Sequence, residues 1–156
     1  YNVLQGGHSA QFAVNSMMTT IGYLYESGAR NFLVPNLPDV GSTPRMQAEY
    51  PLATSGLTQF STDYNTALDD SLNNFGQLSD VNLYTLDVFS IFDDIPVAKR
   101  AELFWVDGFH PSSVGHQLIA KSAYEVVAPV PEPSTIVLMG LGLVGLAGFG
   151  RKKLRK

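Results

Sequence analysis

Cysteine is absent from all 156 residues. That excludes a disulfide framework, a thiolate zinc site, an iron–sulfur cluster and a cysteine nucleophile, and leaves the compartment open, since many exported proteins lack the residue. Charge is scarce, at 15% of positions against 45% hydrophobic residues. A chain this apolar is not intrinsically disordered, and it carries neither a collagen-like nor a heptad repeat. Basic residues are thin outside the last six positions: five bases oppose fourteen acids over residues 1–150, whereas Arg151, Lys152, Lys153, Arg155 and Lys156 crowd the end. An acidic body repels phosphate backbones, which argues against nucleic-acid binding. An initiator methionine is also missing; Tyr1 in first place reads as a processed chain or a fragment. A length near 150 residues allows one domain at most, with a real core.

What is present divides the chain in two. Residues 135–150 (TIVLMGLGLVGLAGFG) contain no charge. At about 1.5 Å per residue such a helix spans roughly 24 Å, short of the ~30 Å hydrocarbon core, and its glycines suit a membrane better than a soluble helix. A buried core helix is the alternative. The segment is nevertheless apolar all round, C-terminal and followed by a cationic cluster, so it is expected to be a short transmembrane helix with residues 151–156 as a basic cytoplasmic tail and the body outside. Before it, residues 128–134 form a Pro-rich linker holding Pro131-Glu132-Pro133. Linker, apolar segment and basic end, in that order, resemble the PEP-CTERM sorting signal of Gram-negative bacteria. The resemblance implies recognition of Pro131-Glu132-Pro133 by a membrane exosortase thought to remove the tail. It also implies export across the inner membrane and delivery to the cell surface or extracellular matrix. A plain uncleaved anchor is the competing reading.

Residues 1–127 alternate helix and strand signals. Ala13, Met17, Ile21 and Leu24 predict an amphipathic helix over about 10–27, closed by Gly28. Residues 31–35 (NFLVP) predict a short strand stopped by Pro35, and the prolines and glycine of 36–51 a long loop. Leu57, Phe60, Tyr64, Leu68, Leu72 and Phe75 predict a helix over 54–75, and residues 81–86 a second strand. Residues 88–104 are mixed, and Ser112 or Ser113 caps a last helix running to about 127. The alternation indicates an α/β domain with a parallel sheet. Such sheets place their sites at the strands' C-terminal ends, near 35–44 and after Leu86.

Asp107-Gly108-Phe109-His110-Pro111 carries the chemistry. An Asp three residues before a His, with Gly between and Pro after, can turn both side chains the same way. The carboxylate then accepts the imidazole Nδ1–H and leaves Nε2 free as a base, as in a hydrolytic triad. Spacing alone more often marks a capping or turn-forming Asp beside a surface His. With its flanks (FWVDGFHPSSVGHQLIA) the stretch resembles the last block of the GDSL (SGNH) esterases and lipases, and residues 28–44 resemble the helix–strand–loop after that family's third block.

The resemblance spans 1–127 and implies the C-terminal part of a three-layer α/β/α hydrolase domain. By it, His110 is the general base and Asp107 the acid that orients it, with no metal or organic cofactor. The family's Gly-Asp-Ser-Leu nucleophile motif and its Gly-x-Asn-Asp oxyanion block are not found. Gly6-Gly7-His8-Ser9 only loosely imitates the latter, and the spacing implies that Tyr1 follows that block. The expected function is an exported serine ester hydrolase acting on a lipid, a short-chain ester or an acetylated glycan. This stretch carries the Asp-x-x-His half without the serine and is inactive alone. Two alternatives stand beside it: a non-catalytic surface or matrix protein derived from a truncated hydrolase domain, and a metal-dependent hydrolase using Asp107, His110 and His116. Phe104 and Trp105 either line an acyl pocket or sit in a core. His8 is expected in a loop and His116 at the start of the last helix. Asp69-Asp70 and Asp93-Asp94 read as solvated or capping residues, and Asn36 and Asp39 as neighbours of the cleft.

Overall fold

Helix α1 (Ala10–Glu26) begins where the Ser9 hydroxyl accepts the Phe12 N–H at 3.3 Å, so Ser9 is a helix cap. It ends at Gly28, whose φ is 101°, with Gly28 N–H bonded to the Tyr25 carbonyl and Ala29 N–H to that of Leu24. That is the double bond pattern of a glycine-closed helix. The computed structural model describes residues 9–128 together with 139, 141 and 143. The buried stripe of α1 keeps Ala13 and Ile21 of the expected one but not Met17 and Leu24. Val14 and Ile21 are buried, flanked by the partly buried Met18 and Tyr25, while Met17 and Leu24 are 37% and 51% exposed. The helix carries apolar residues on two adjoining strips, and packing against its neighbours selects the one that periodicity alone does not rank first.

Strand β1 (Asn31–Pro35) pairs in parallel with β2 (Asn82–Leu86), Phe32 beside Leu83 and Val34 beside Thr85. Parallel neighbours need a crossover, supplied by α3 (Thr54–Phe75). One sheet face packs Phe32 and Val34 against Val14 and Ile21 of α1 and Tyr64, Leu68 and Leu72 of α3. On α3, Leu57, Tyr64, Leu68 and Leu72 are buried as their spacing predicts, but Ser61 is buried rather than Phe60. The Ser61 hydroxyl donates to the Leu57 carbonyl and accepts the Val40 N–H, which meets its polar needs inside.

On the other face Leu86 joins Val88, Phe92 and Leu103, with Leu118, Ile119 and Ala123 of α6 (Ser113–Val127) packed against them. The domain is α/β, with helices on both sides of a small parallel sheet. Among the described residues β2 is the one strand paired with β1, and Leu33, on the α6 side of β1, is 41% exposed.

The expected loop over 36–51 contains a 3-10 turn (Val40–Ser42) and a short helix α2 (Pro44–Glu49). Pro44 occupies its first turn, where a missing N–H costs nothing. Residues 88–104 resolve into α4 (Val88–Asp93), capped by Asp87, then α5 (Val97–Arg100) and a 3-10 turn (Ala101–Leu103). Ser112, not Ser113, caps α6. No helix among the described residues is long and apolar enough to cross a membrane. The span expected over 135–150 lies outside them apart from Met139, Leu141 and Leu143, which are helical and exposed.

Leu68 is 1% exposed between the sheet and α3. Leu68→Ala is expected to lower unfolding stability by about 2–5 kcal/mol in denaturant titrations. Leu24→Ala, at the exposed strip of α1, is expected to change it by less than ~0.5 kcal/mol.

Candidate active site

Residues 103–112 close a short loop between the second core cluster and α6. Phe104 and Pro111 form an antiparallel bridge; Trp105 N–H donates to the His110 carbonyl at 2.8 Å and Ser112 N–H to that of Leu103 at 2.7 Å. At the tip Gly108 N–H turns back to the Trp105 carbonyl at 2.8 Å, and Gly108 has a φ of 64°. That conformation suits glycine and is costly for residues with a Cβ. At the exit the Ser112 hydroxyl donates to the Glu102 carbonyl and accepts the N–H groups of Val114 and Gly115.

Within this frame the Asp107 carboxylate accepts three hydrogen bonds. Oδ1 takes the N–H groups of Phe109 and His110 at 2.9 and 3.0 Å, and Oδ2 lies 2.7 Å from His110 Nδ1. The imidazole hydrogen bond is the main reason the Asp107 carboxyl is held down to about 2, with the two main-chain donors adding to it. Asp107 is therefore ionised at neutral pH and can only accept, so His110 Nδ1 carries the proton. Nε2 then presents its lone pair outward on a ring whose side chain is 73% exposed. An imidazole oriented this way can take a proton from a hydroxyl and return it to a leaving group.

The structure brings Asp107 and His110 together and leaves the other candidates apart. His116 is exposed in the first turn of α6, and no three His, Cys, Asp or Glu among the described residues are placed to hold a metal ion. Phe104 packs on Phe92 with ring centres 5.8 Å apart, a core role, whereas Trp105 is 61% exposed beside the turn. Asp69 and Asp70 face solvent on α3; Asp93 pairs with Arg100 at 2.9 Å and Asp94 ends α4.

Asp39 caps the 3-10 turn and accepts the Thr58 hydroxyl at 2.7 Å. Asn36 donates from its side chain to Asp87 at 2.8 Å and accepts the Phe89 N–H. Burial pushes the Asp87 carboxyl up, but hydrogen bonds from Ser90 and Asn36 prevail and leave it lowered. Sequence reasoning missed a neighbour of the turn: Arg45, whose N–H donates to the Gly108 carbonyl at 2.9 Å. Its guanidinium is held above the usual value, chiefly by its hydrogen bond to Glu49 with a smaller contribution from the Asp107 charge.

Because the folded-state value of Asp107 is depressed, its contribution to stability is present above the unfolded value near 3.8 and is lost as pH falls through about 2. In a ¹³C carboxyl titration His110→Ala is expected to move the Asp107 midpoint up toward 3.8, since the ring is its largest stabiliser. A midpoint left near 2 would contradict that ordering of causes.

Residues 7–123 match the family model described as GDSL-like Lipase/Acylhydrolase, and residues 129–153 match the PEP-CTERM protein-sorting motif. No curated protein matches the chain. The first match covers the sheet, the Asp107–His110 turn and the helices up to residue 123 within α6, and the second begins just after α6. The chain belongs to the GDSL-like lipase/acylhydrolase family, a hydrolase domain for esters followed by an export-sorting motif of Gram-negative bacteria.

Proposed function

We propose that this protein is an exported serine ester hydrolase in which His110 is the general base and Asp107 the residue that orients it. The 2.7 Å contact between His110 Nδ1 and Asp107 Oδ2, inside the stretch matched by the family, carries the reading. In the proposed mechanism a serine hydroxyl from a segment upstream of Tyr1 attacks the ester carbonyl while His110 Nε2 takes its proton. The tetrahedral adduct collapses, and the imidazolium gives that proton to the departing alcohol. Water then attacks the acyl-enzyme with His110 again the base, releasing acid and free serine.

Ionised Asp107 stabilises the imidazolium in both steps without itself becoming protonated. The ester is a lipid, a short-chain ester or an acetylated glycan. In this reading 1–127 is the C-terminal part of the hydrolase domain, with a three-layer arrangement completed by the upstream segment. Residues 128–134 are the linker, 135–150 hold the protein in the inner membrane, and 151–156 stay cytoplasmic until an exosortase acts at Pro131-Glu132-Pro133. The uncharged run and its basic end support that arrangement.

With the upstream reading frame restored, the protein is expected to hydrolyse model esters, and His110→Ala to lower kcat roughly 10⁴- to 10⁶-fold. Residues 1–156 alone are expected to show no serine-dependent turnover, because a base without nucleophile or oxyanion donors contributes little. A restored protein with no serine-dependent turnover would favour the competing reading, a non-catalytic surface module. Deleting Pro131-Glu132-Pro133 is expected to leave the protein unprocessed and membrane-associated, read by mass and cell fractionation.

A further inference from the structure

Arg45 is the second residue of α2, and the first N–H groups of a helix have no partner inside it. Pro44 brings no N–H, and Thr43, the residue before it, turns its hydroxyl to the Val40 carbonyl at 2.9 Å instead of capping the helix. The Arg45 N–H is thus left for an acceptor elsewhere, and the Gly108 carbonyl takes it at 2.9 Å. The fit is close. A Cβ on Gly108 would lie 3.1 Å from the Arg45 nitrogen and 3.4 Å from the Cβ atoms of Arg45 and Pro44.

The Gly108 carbonyl and the Phe109 N–H belong to one planar peptide. Its oxygen is held by Arg45 and its N–H by Asp107 Oδ1 at 2.9 Å. Turning that peptide breaks both bonds together and removes one of the three donors that orient the Asp107 carboxylate.

The other side of this contact is tied to the core. Asp39 Oδ1 accepts the Gly41 N–H at 2.9 Å and the Thr58 hydroxyl at 2.7 Å, Gln47 of α2 donates to the Gly41 carbonyl at 2.7 Å, and Val40 N–H reaches Ser61 at 3.2 Å. Gly41 lies so close to α3 that a Cβ there would collide with the Thr54 carbonyl. A continuous path of hydrogen bonds and close contacts therefore runs from α3 through residues 39–45 to Gly108.

We propose that the segment following β1 positions the Asp107–His110 pair, with the main chain of Arg45 seating Gly108 and so fixing the peptide that aims the Asp107 carboxylate. Arg45 and Gly108 are positioning residues: they act through Asp107 and His110. The assignment of a catalytic role to that pair rests on the proposed function, but the seat itself is testable without turnover.

The experiment is NMR on residues 1–156, comparing wild type with Gly108→Asn and Arg45→Ala. Among residues with a Cβ, Asn tolerates positive φ well, so Gly108→Asn brings a Cβ against Arg45 at a small backbone cost. It is expected to raise the Asp107 carboxyl midpoint from about 2 toward 3.8 and to abolish the ¹⁵N signature of an Nδ1-protonated His110 ring at alkaline pH. Arg45→Ala keeps the N–H and is expected to leave both signals as in wild type. Wild-type signals in Gly108→Asn, or loss of both in Arg45→Ala, overturn the proposal.

Should Gly108→Asn fail to fold, hydrogen exchange on the wild-type chain decides. The amides of Arg45 and Phe109 are expected to share one protection factor, and a freely exchanging Arg45 beside a protected Phe109 overturns the proposal. In the enzyme with its upstream segment, Gly108→Asn is expected to lower kcat by roughly 100-fold with little change in KM. If the seat holds by NMR and that enzyme hydrolyses no ester, the proposed function fails while the inference stands.

Discussion

The parallel pairing of β1 with β2 is the constraint from which the arrangement follows. Two strands running the same way cannot be joined by a tight turn, so the chain must cross over, and α3 is that crossing. A buried parallel pair also needs cover on both faces. Phe32 and Val34 find it in α1 and α3, and Leu86 finds it near α6. The pairing sends the segments after both strands to the same end of the sheet. There Asn36 extends the ladder by donating its N–H to the Leu86 carbonyl at 2.9 Å, and its side chain grips the start of α4.

At that end the molecule uses two kinds of construction. The Asp107–His110 turn is local, closed within ten residues by its own main chain and by Ser112. Its attachment to the rest of the domain is long-range and also main-chain, through Arg45 and Gly108. The site therefore combines a unit whose internal geometry depends on neighbouring residues with a mount whose geometry depends on the fold. Charge plays a limited part: the ion pairs of Arg30 with Asp80 and Arg45 with Glu49 lie at the surface, where such pairs add little stability.

How much of this was legible in the sequence depended on whether a feature is written in side chains. Helix α3 was readable because its buried residues recur at helical spacing over about four turns, and β1 because a short apolar run is bounded by Asn31 and Pro35. The buried face of α1 was read in part: Ala13 and Ile21 pack in the core, but Met17 and Leu24 are as apolar as Met18 and Val14, so only the neighbours decide which strip is covered. The prolines around α2 read as a loop, although Pro44 is also a good helix opener. Asp107 and His110 were visible because the pair is three residues apart; the Arg45 contact was not, since a peptide N–H meeting a distant carbonyl leaves no mark in residue type. The glycine between Asp107 and His110 was its one trace.

The locality of the Asp107 turn bears on how a nucleophile held elsewhere would be aligned. Where acid and base sit on separate loops, thermal breathing of a sheet changes two distances at once, acid to base and base to nucleophile. Here the acid and the ring ride on the same closed loop, so the first distance is insulated from such motion. Alignment then reduces to docking one closed piece, and the Arg45–Gly108 contact sets both where the base sits and the peptide that aims its partner carboxylate.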